Sequence, residues 1–130
     1  MLISPKFMLA AGSALGFLSV ALGAFGAHAL KPMLLESNRL ATYETAVQYQ
    51  MYHGLALLLT GILALQLPQS DFSLVAVFFL VGVLIFSGSL YLLCATGIKW
   101  LGAITPIGGT AFLAGWVLLG WRLWNAKAGG

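Results

Sequence analysis

The sequence predicts an all-α integral-membrane fold, a four-transmembrane-helix bundle running up-down-up-down with a short interfacial segment between helices 1 and 2. Three observations carry that prediction. Of 130 residues, 61% are hydrophobic and 7% charged, with a mean hydropathy of +0.99, which leaves too few charges to clothe a water-soluble domain. The apolar residues gather into four runs, each close to the roughly 20 residues that cross a hydrocarbon layer. The connections between them are too short to hold a soluble core of their own, so residues 1–130 form a single integral-membrane domain.

The first span is expected over about residues 7–30, bracketed by Lys6 and Lys31, with Lys31-Pro32 ending the helix. It exceeds the roughly 7–15 apolar residues of a signal-peptide core, which favours a retained helix over a leader cleaved at Ala27-His28-Ala29. Gly12, Gly16, Ser19, Gly23 and Ala27 recur at spacings of four, three, four and four and make one stripe. Such a stripe lets a second backbone approach closely in lipid, with Gly12-xxx-Gly16 as its sharpest part. Packing within the monomer is favoured over a dimer seam.

Glu36, Ser37, Asn38 and Arg39 occupy the one substantial loop. Ser37 or Asn38 is expected to cap a helix that begins in the headgroup region, with Leu40, Tyr43 and Val47 on one face. The second span then runs over about residues 47–67 and stops before Pro68. Gln69-Ser70-Asp71 reads as a tight turn. Ser70 or Asp71 caps the third span, residues 72–96, and Gly97 stands where helices often end on a left-handed residue. Thr105-Pro106 is expected to open the fourth span, residues 106–124, as capping hydroxyl and first-turn proline; a mid-helix kink at Pro106 is the alternative. Trp121-Arg122-Leu123-Trp124 anchors its end, and the four spans are expected to close on one another.

An even number of spans puts both termini on one side, with Lys6, Arg122 and Lys127 against Lys31, Arg39 and Lys99 on the other. The positive-inside rule has little leverage on three against three, and only the terminal amine points to cytoplasmic termini in the cell inner (plasma) membrane. The same topology gathers polar residues toward one membrane face. His28 comes from the end of span one, Glu44, Gln48, Gln50 and His53 from the start of span two, Tyr91 and Cys94 from the end of span three, and Thr105 from the start of span four. Ser87 and Ser89 lie deeper. At 100° per residue Ala46, Tyr49, Gln50, His53, Ala56, Thr60 and Ala64 share a face, with Glu44 roughly opposite His53.

These residues are expected to wall a polar pocket just inside that face, with His53 neutral and hydrogen-bonded to Gln50, Ser87 or Ser89. Each also has a plainer reading. A histidine can be a packed donor to a carbonyl, the glutamines helix-to-helix glue, the serines close-packing residues, and Tyr43, Tyr49 and Tyr52 an aromatic belt.

Gly23 to Leu30, Tyr43 to His53, Phe86 to Tyr91, Ile104 to Gly109 and the pair Gly115-Trp116 are blocks whose order and spacing resemble the YgdD-type family of small inner-membrane proteins. The resemblance spans nearly the whole chain. It implies a four-span membrane protein, found mainly in bacteria with relatives in animals, and it implies no known reaction.

Composition excludes several classes. No stripe of Lys and Arg tracks a nucleic acid, and the single cysteine, Cys94, permits no internal disulfide. No nucleophile has a base at a recognisable spacing, and two histidines with one distant cysteine make no metal motif, so neither an enzyme nor a metal site is expected. Three classes remain. One is a non-enzymatic membrane protein whose pocket binds a lipid headgroup or a partner helix, including a second copy, with no cofactor. The second is a haem or quinone protein using His28 and His53. The third is an oligomeric small transporter or channel, for which charge at mid-membrane or a broken helix would be expected and neither is visible.

Overall fold

A hydroxyl and a proline start the chain's first helix. In a computed structural model, which describes residues 1–127, Ser4 Oγ accepts the Phe7 N–H at 3.2 Å and Pro5 occupies the first helical position of α1, Pro5–Ala27. α1 stops short of Lys31. Pro32 has no N–H to give the carbonyl of His28, so the helix ends a turn earlier, with the His28 N–H closing back on Ala24. Lys31-Pro32 instead opens a short helix, α2, Lys31–Glu36.

The expected cap at Ser37 or Asn38 does not form. Ser37 Oγ–H donates backward to Met33 O at 2.9 Å, and Asn38 reverses the chain in the left-handed region at φ 56°, which asparagine tolerates. α3 follows as one continuous helix, Leu40–Gln66, with no break at residue 47. Asp71 Oδ1 accepts the Ser73 N–H at 2.8 Å at the start of α4, Ser73–Thr96. α4 ends on Gly97 at φ 74°, as expected, with the Arg39 guanidinium beside it, a favourable place for a cation at a helix C-terminus.

α5 begins earlier than expected, at Leu101, and runs to Trp124 with Pro106 inside it. Thr105 is therefore an interior residue and not a cap. A proline six residues into a helix removes only one ladder bond, and the added turn buries Leu101 and brings Thr105 against Ser89.

Among the described residues all regular structure is helical, and α1, α4 and α5 are each long and apolar enough to cross a membrane. α3 is the longest helix, but Glu44, Gln48, Gln50 and His53 dilute its apolar character. α1 packs on α3, α3 on α4 and α4 on α5; α1 and α5 share no comparable face, so the expected closure of the ring is absent. Glycines set the close approaches. A Cβ at Gly12 would lie 2.7 Å from Leu58 N and 2.8 Å from Gly54 O, so α1 and α3 touch backbone to backbone. In the α4–α5 pair the rings of Phe112 and Phe79 fill the notches at Gly82 and Gly115. The core of Met8, Leu57, Phe72, Val75, Phe79, Val83 and Phe112 joins these layers, while Phe17, Leu84, Leu113 and Val117 point outward, as lipid-facing side chains do.

Candidate functional site

The inward face of α3 is the one its periodicity predicts, except at Tyr49. Ala46, Gln50, His53, Ala56, Thr60 and Ala64 are all buried and Glu44 is exposed, but Tyr49, expected on the same face as His53, is exposed as well. His53 is 4% exposed and makes two hydrogen bonds. Nδ1–H donates to Tyr49 O at 2.7 Å, and Nε2 accepts the Trp116 indole N–H at 3.0 Å. A carbonyl only accepts and an indole only donates, so this pair of contacts requires the neutral imidazole with its proton on Nδ1. The ring stacks on Phe112 at a centroid distance of 3.5 Å. Tyr49, Phe86, Pro106, Phe112 and Trp116 shape a side-opening crevice of about 450 Å³ beside it.

The expected partners of His53 are engaged elsewhere. Gln50 donates from Nε2 to Leu15 O at 3.1 Å and accepts the Tyr91 hydroxyl at Oε1 at 2.7 Å, tying α1, α3 and α4 together. Ser87 Oγ–H donates to Ala46 O at 2.7 Å. Ser89 and Thr105 share a hydrogen bond of 2.6 Å between α4 and α5. Among the described residues no buried side-chain nitrogen or oxygen lacks a partner. A buried polar network in which every member is satisfied holds helices together and offers no free valence to a ligand.

Depth separates these residues from the rest of the expected pocket. His53 lies 13 residues from Leu40 and 13 from Gln66, the two ends of α3, so it stands at mid-helix. Beside it, a Cβ on Gly54 would be 3.0 Å from Leu15 Cβ and 3.5 Å from Gly16 N. His28 is 12 residues further along α1 than Gly16, about 18 Å at the helical rise. The two histidines therefore do not meet, and both ring nitrogens of His53 are occupied, so the donor set does not fit paired axial ligation of a haem iron.

The remaining expected residues sit at the other level. His28 caps the end of α1 and is exposed, beside Ala24, Phe25 and Ala29. Glu44 and Gln48 are exposed one turn apart on α3 and border a groove of about 220 Å³ with Gly23, Gly26, Ala27, Tyr43 and Val47. Tyr43 is buried rather than part of a belt: its ring fills the notch at Gly26 and its hydroxyl donates to Leu22 O at 2.5 Å.

The packing stripe is also turned by about a residue. Met8, Gly12, Ser19 and Gly26 are the buried positions of α1, with Leu15 and Leu22 half-buried between them, a seam of alternating four and three. Gly12 takes the tight contact and Ser19 closes on Leu15 O, whereas a Cβ on Gly16 would meet nothing within 4 Å and one on Gly23 only Val47 at 3.4 Å. Cys94 is buried with its thiol 3.8 Å from Arg39 O, and among the described residues no three His, Cys, Asp or Glu gather as a metal site would require.

Three partners were missed from sequence: Trp116 for His53, Tyr91 for Gln50, and Leu22 O for Tyr43. A signal existed for the first. Tryptophan favours the ends of spans, and Trp116 falls well inside one.

Comparison with known proteins places the chain among membrane proteins. Residues 22–109 match the family model described as protein of unknown function (DUF423). The chain is 43% identical over 114 residues to a UPF0382 membrane protein of Staphylococcus haemolyticus, covering 88% of this chain and 92% of the relative. It is 41% identical over 115 residues to the UPF0382 membrane protein YwdK of Bacillus subtilis, covering 88% and 93%. To the UPF0382 inner membrane protein YgdD of Escherichia coli it is 37% identical over 117 residues, covering 90% and 88%. No solved structure matches.

Proposed function

The chain belongs to the DUF423 family of proteins of unknown function, and we propose that it is a non-enzymatic, four-span inner-membrane protein that holds a lipid by its headgroup in the groove bearing Glu44 and Gln48. The fourth span is α3. Its 27 residues extend about 40 Å, enough to cross a bilayer, and the polar residues nearest its middle, Gln50 and His53, face other helices. Contacts between consecutive long helices run in opposite chain order: Gly12 meets Leu58 while Gly26 meets Tyr43, and Phe79 meets Gly115 while Ser89 meets Thr105. This supports an up-down-up-down path with both termini on one side, which we place in the cytoplasm.

One observation carries the lipid reading. Of the eight polar residues expected in the pocket, Gln50, His53, Ser87, Ser89 and Thr105 spend their hydrogen bonds inside the protein. Only His28, Glu44 and Gln48 keep exposed polar ends, and two of these three border one groove. A groove of about 220 Å³ is too small for a partner helix roughly 10 Å across, and suits a headgroup.

Native mass spectrometry of the protein in mild detergent tests this. A retained phospholipid adduct is expected, weakened in the Glu44→Leu/Gln48→Leu double variant; a lipid-free protein, or equal occupancy in the variant, refutes the reading. For the topology, cysteines placed at Ser37 and Gln69 should label from opposite sides of sealed vesicles. Labelling from one side would remove α3 from the count of spans.

A further inference from the structure

We propose that this groove selects a primary ammonium, the headgroup of an aminophospholipid such as phosphatidylethanolamine. The inference rests on the lipid reading above and adds the chemistry of the ligand. Its basis is an excess of acceptors in one place.

Three sources of acceptor oxygen border the groove. Glu44 brings a carboxylate and Gln48 a carboxamide oxygen, one turn apart on α3. The third source is the end of α1. A helix has four terminal carbonyls without ladder partners, and together they carry a partial negative charge of about half a unit. In α1 these belong to Ala24, Phe25, Gly26 and Ala27. The His28 N–H reaches Ala24 O at 3.1 Å, and the Leu30 N–H reaches Phe25 O at 2.8 Å. Among the described residues no protein donor reaches the carbonyls of Gly26 and Ala27, and both residues line the groove.

Nothing on the groove wall balances that charge. No lysine or arginine lines it, α1 has no basic residue in its last turn, and the one aromatic hydroxyl, that of Tyr43, is committed to Leu22 O. The Gln48 amide is the only side-chain donor there. A site built from a carboxylate, an amide oxygen and helix-end carbonyls complements a group with positive charge and several N–H donors, which is what a primary ammonium offers. A choline headgroup carries the charge but no N–H, and a glycerol headgroup carries neither. The location fits as well. Glu44 is the fifth residue of α3 and Ala27 the last of α1, so in the four-span arrangement the groove lies at headgroup level, with the small residues Gly23 and Ala27 keeping it open.

The test is competitive lipid retention by native mass spectrometry, using the full chain with equimolar phosphatidylethanolamine, phosphatidylcholine and phosphatidylglycerol of matched acyl chains. Phosphatidylethanolamine should be retained about tenfold over either competitor, as charge-assisted hydrogen bonds would give. Free ethanolamine at millimolar concentration should not displace it if the lipid is the ligand; displacement would identify a soluble amine as the occupant and overturn the lipid source. Glu44→Gln should abolish the preference while leaving the melting temperature unchanged, and Gln48→Leu should reduce it. Adducts that form equally with all three lipids and still need Glu44 and Gln48 would overturn the ammonium assignment and leave the headgroup site standing. A preference for ethanolamine that survives Glu44→Gln would place the ammonium elsewhere, and absence of any adduct would remove the lipid reading itself.

Discussion

Gly12 and Gly16 stand one turn apart on the same helix, and replacing each by alanine should give opposite results. A Cβ on residue 12 would fall 2.7 Å from Leu58 N, 2.8 Å from Gly54 O and 3.0 Å from Leu58 Cα. All three are backbone atoms of α3, so no side chain can swing away, and α1 and α3 must separate by about 0.7 Å to restore an ordinary contact near 3.4 Å. Overpacking of this kind costs about 1–3 kcal/mol, against a gain of about 1 kcal/mol from replacing a helical glycine by alanine. Gly12→Ala should therefore lose up to about 2 kcal/mol. Gly16→Ala meets no atom within 4 Å and keeps only the gain, so it should be neutral or up to about 1 kcal/mol more stable. Equilibrium unfolding in mixed micelles of rising SDS fraction, followed by tryptophan fluorescence, measures both. Equal destabilisation by the two variants, or greater damage from Gly16→Ala, would refute the backbone contact at Gly12.

The His53–Trp116 bond gives a second test: His53→Leu and Trp116→Phe should each cost about 1–2 kcal/mol, with His53→Gln milder because it keeps a donor and an acceptor. In a double-mutant cycle the two losses should fall short of additivity by about 1 kcal/mol, and strict additivity would show that the pair does not interact. A third concerns pH. The Ser73 hydroxyl, and after it the Ser73 N–H, holds the Asp71 carboxyl below its ordinary value, with burial opposing and the N-terminal amine and Arg122 assisting more weakly. A folded value below the unfolded one means the stabilisation is complete above about pH 4 and is lost as pH falls through the folded value. Melting temperature between pH 2 and 6 should therefore fall less steeply in Asp71→Asn than in the parent, and parallel curves would show that Asp71 contributes nothing.

Much of the helical outline was legible because charges and prolines punctuate it. Pro68 follows α3, Gly97 ends α4 in the left-handed region, and the buried face of α3 follows from a period of 3.6. Proline was also where the reading failed. The same residue type permits a helix start or an interior position near the start, and only the tertiary contact between Thr105 and Ser89 decides in favour of the latter. Similarly, the stripe on α1 shows that small residues share a face, but which glycine meets the partner depends on how far α3 is shifted along the helix axis. The polar residues were correctly picked out as unusual, but residue type alone does not set their depth. His53 and Trp116 are 63 positions apart and belong to helices that are not consecutive, so no local pattern pairs them.

The divided packing has a consequence for how the chain assembles. Within the α1–α3 pair and within the α4–α5 pair, glycine notches bring the helices together, at Gly12, Gly26 and Gly61 in one and at Gly82, Gly108 and Gly115 in the other. Across the boundary between the two pairs run the bonds Tyr91 to Gln50, Ser87 to Ala46 O and Trp116 to His53. If α3 spans the membrane as proposed, an α1–α3 hairpin that enters the bilayer first would carry an unfilled Gln50 Oε1 and a bare His53 Nε2 on its open flank, surrounded by lipid that cannot bond to them. The second hairpin presents the Tyr91 O–H and the Trp116 N–H, which are donors matched to those two acceptors, and the Ser87 O–H, which reaches Ala46 O. Shape forms each half, and polarity recruits one half to the other in a medium where apolar burial supplies little pull between helices.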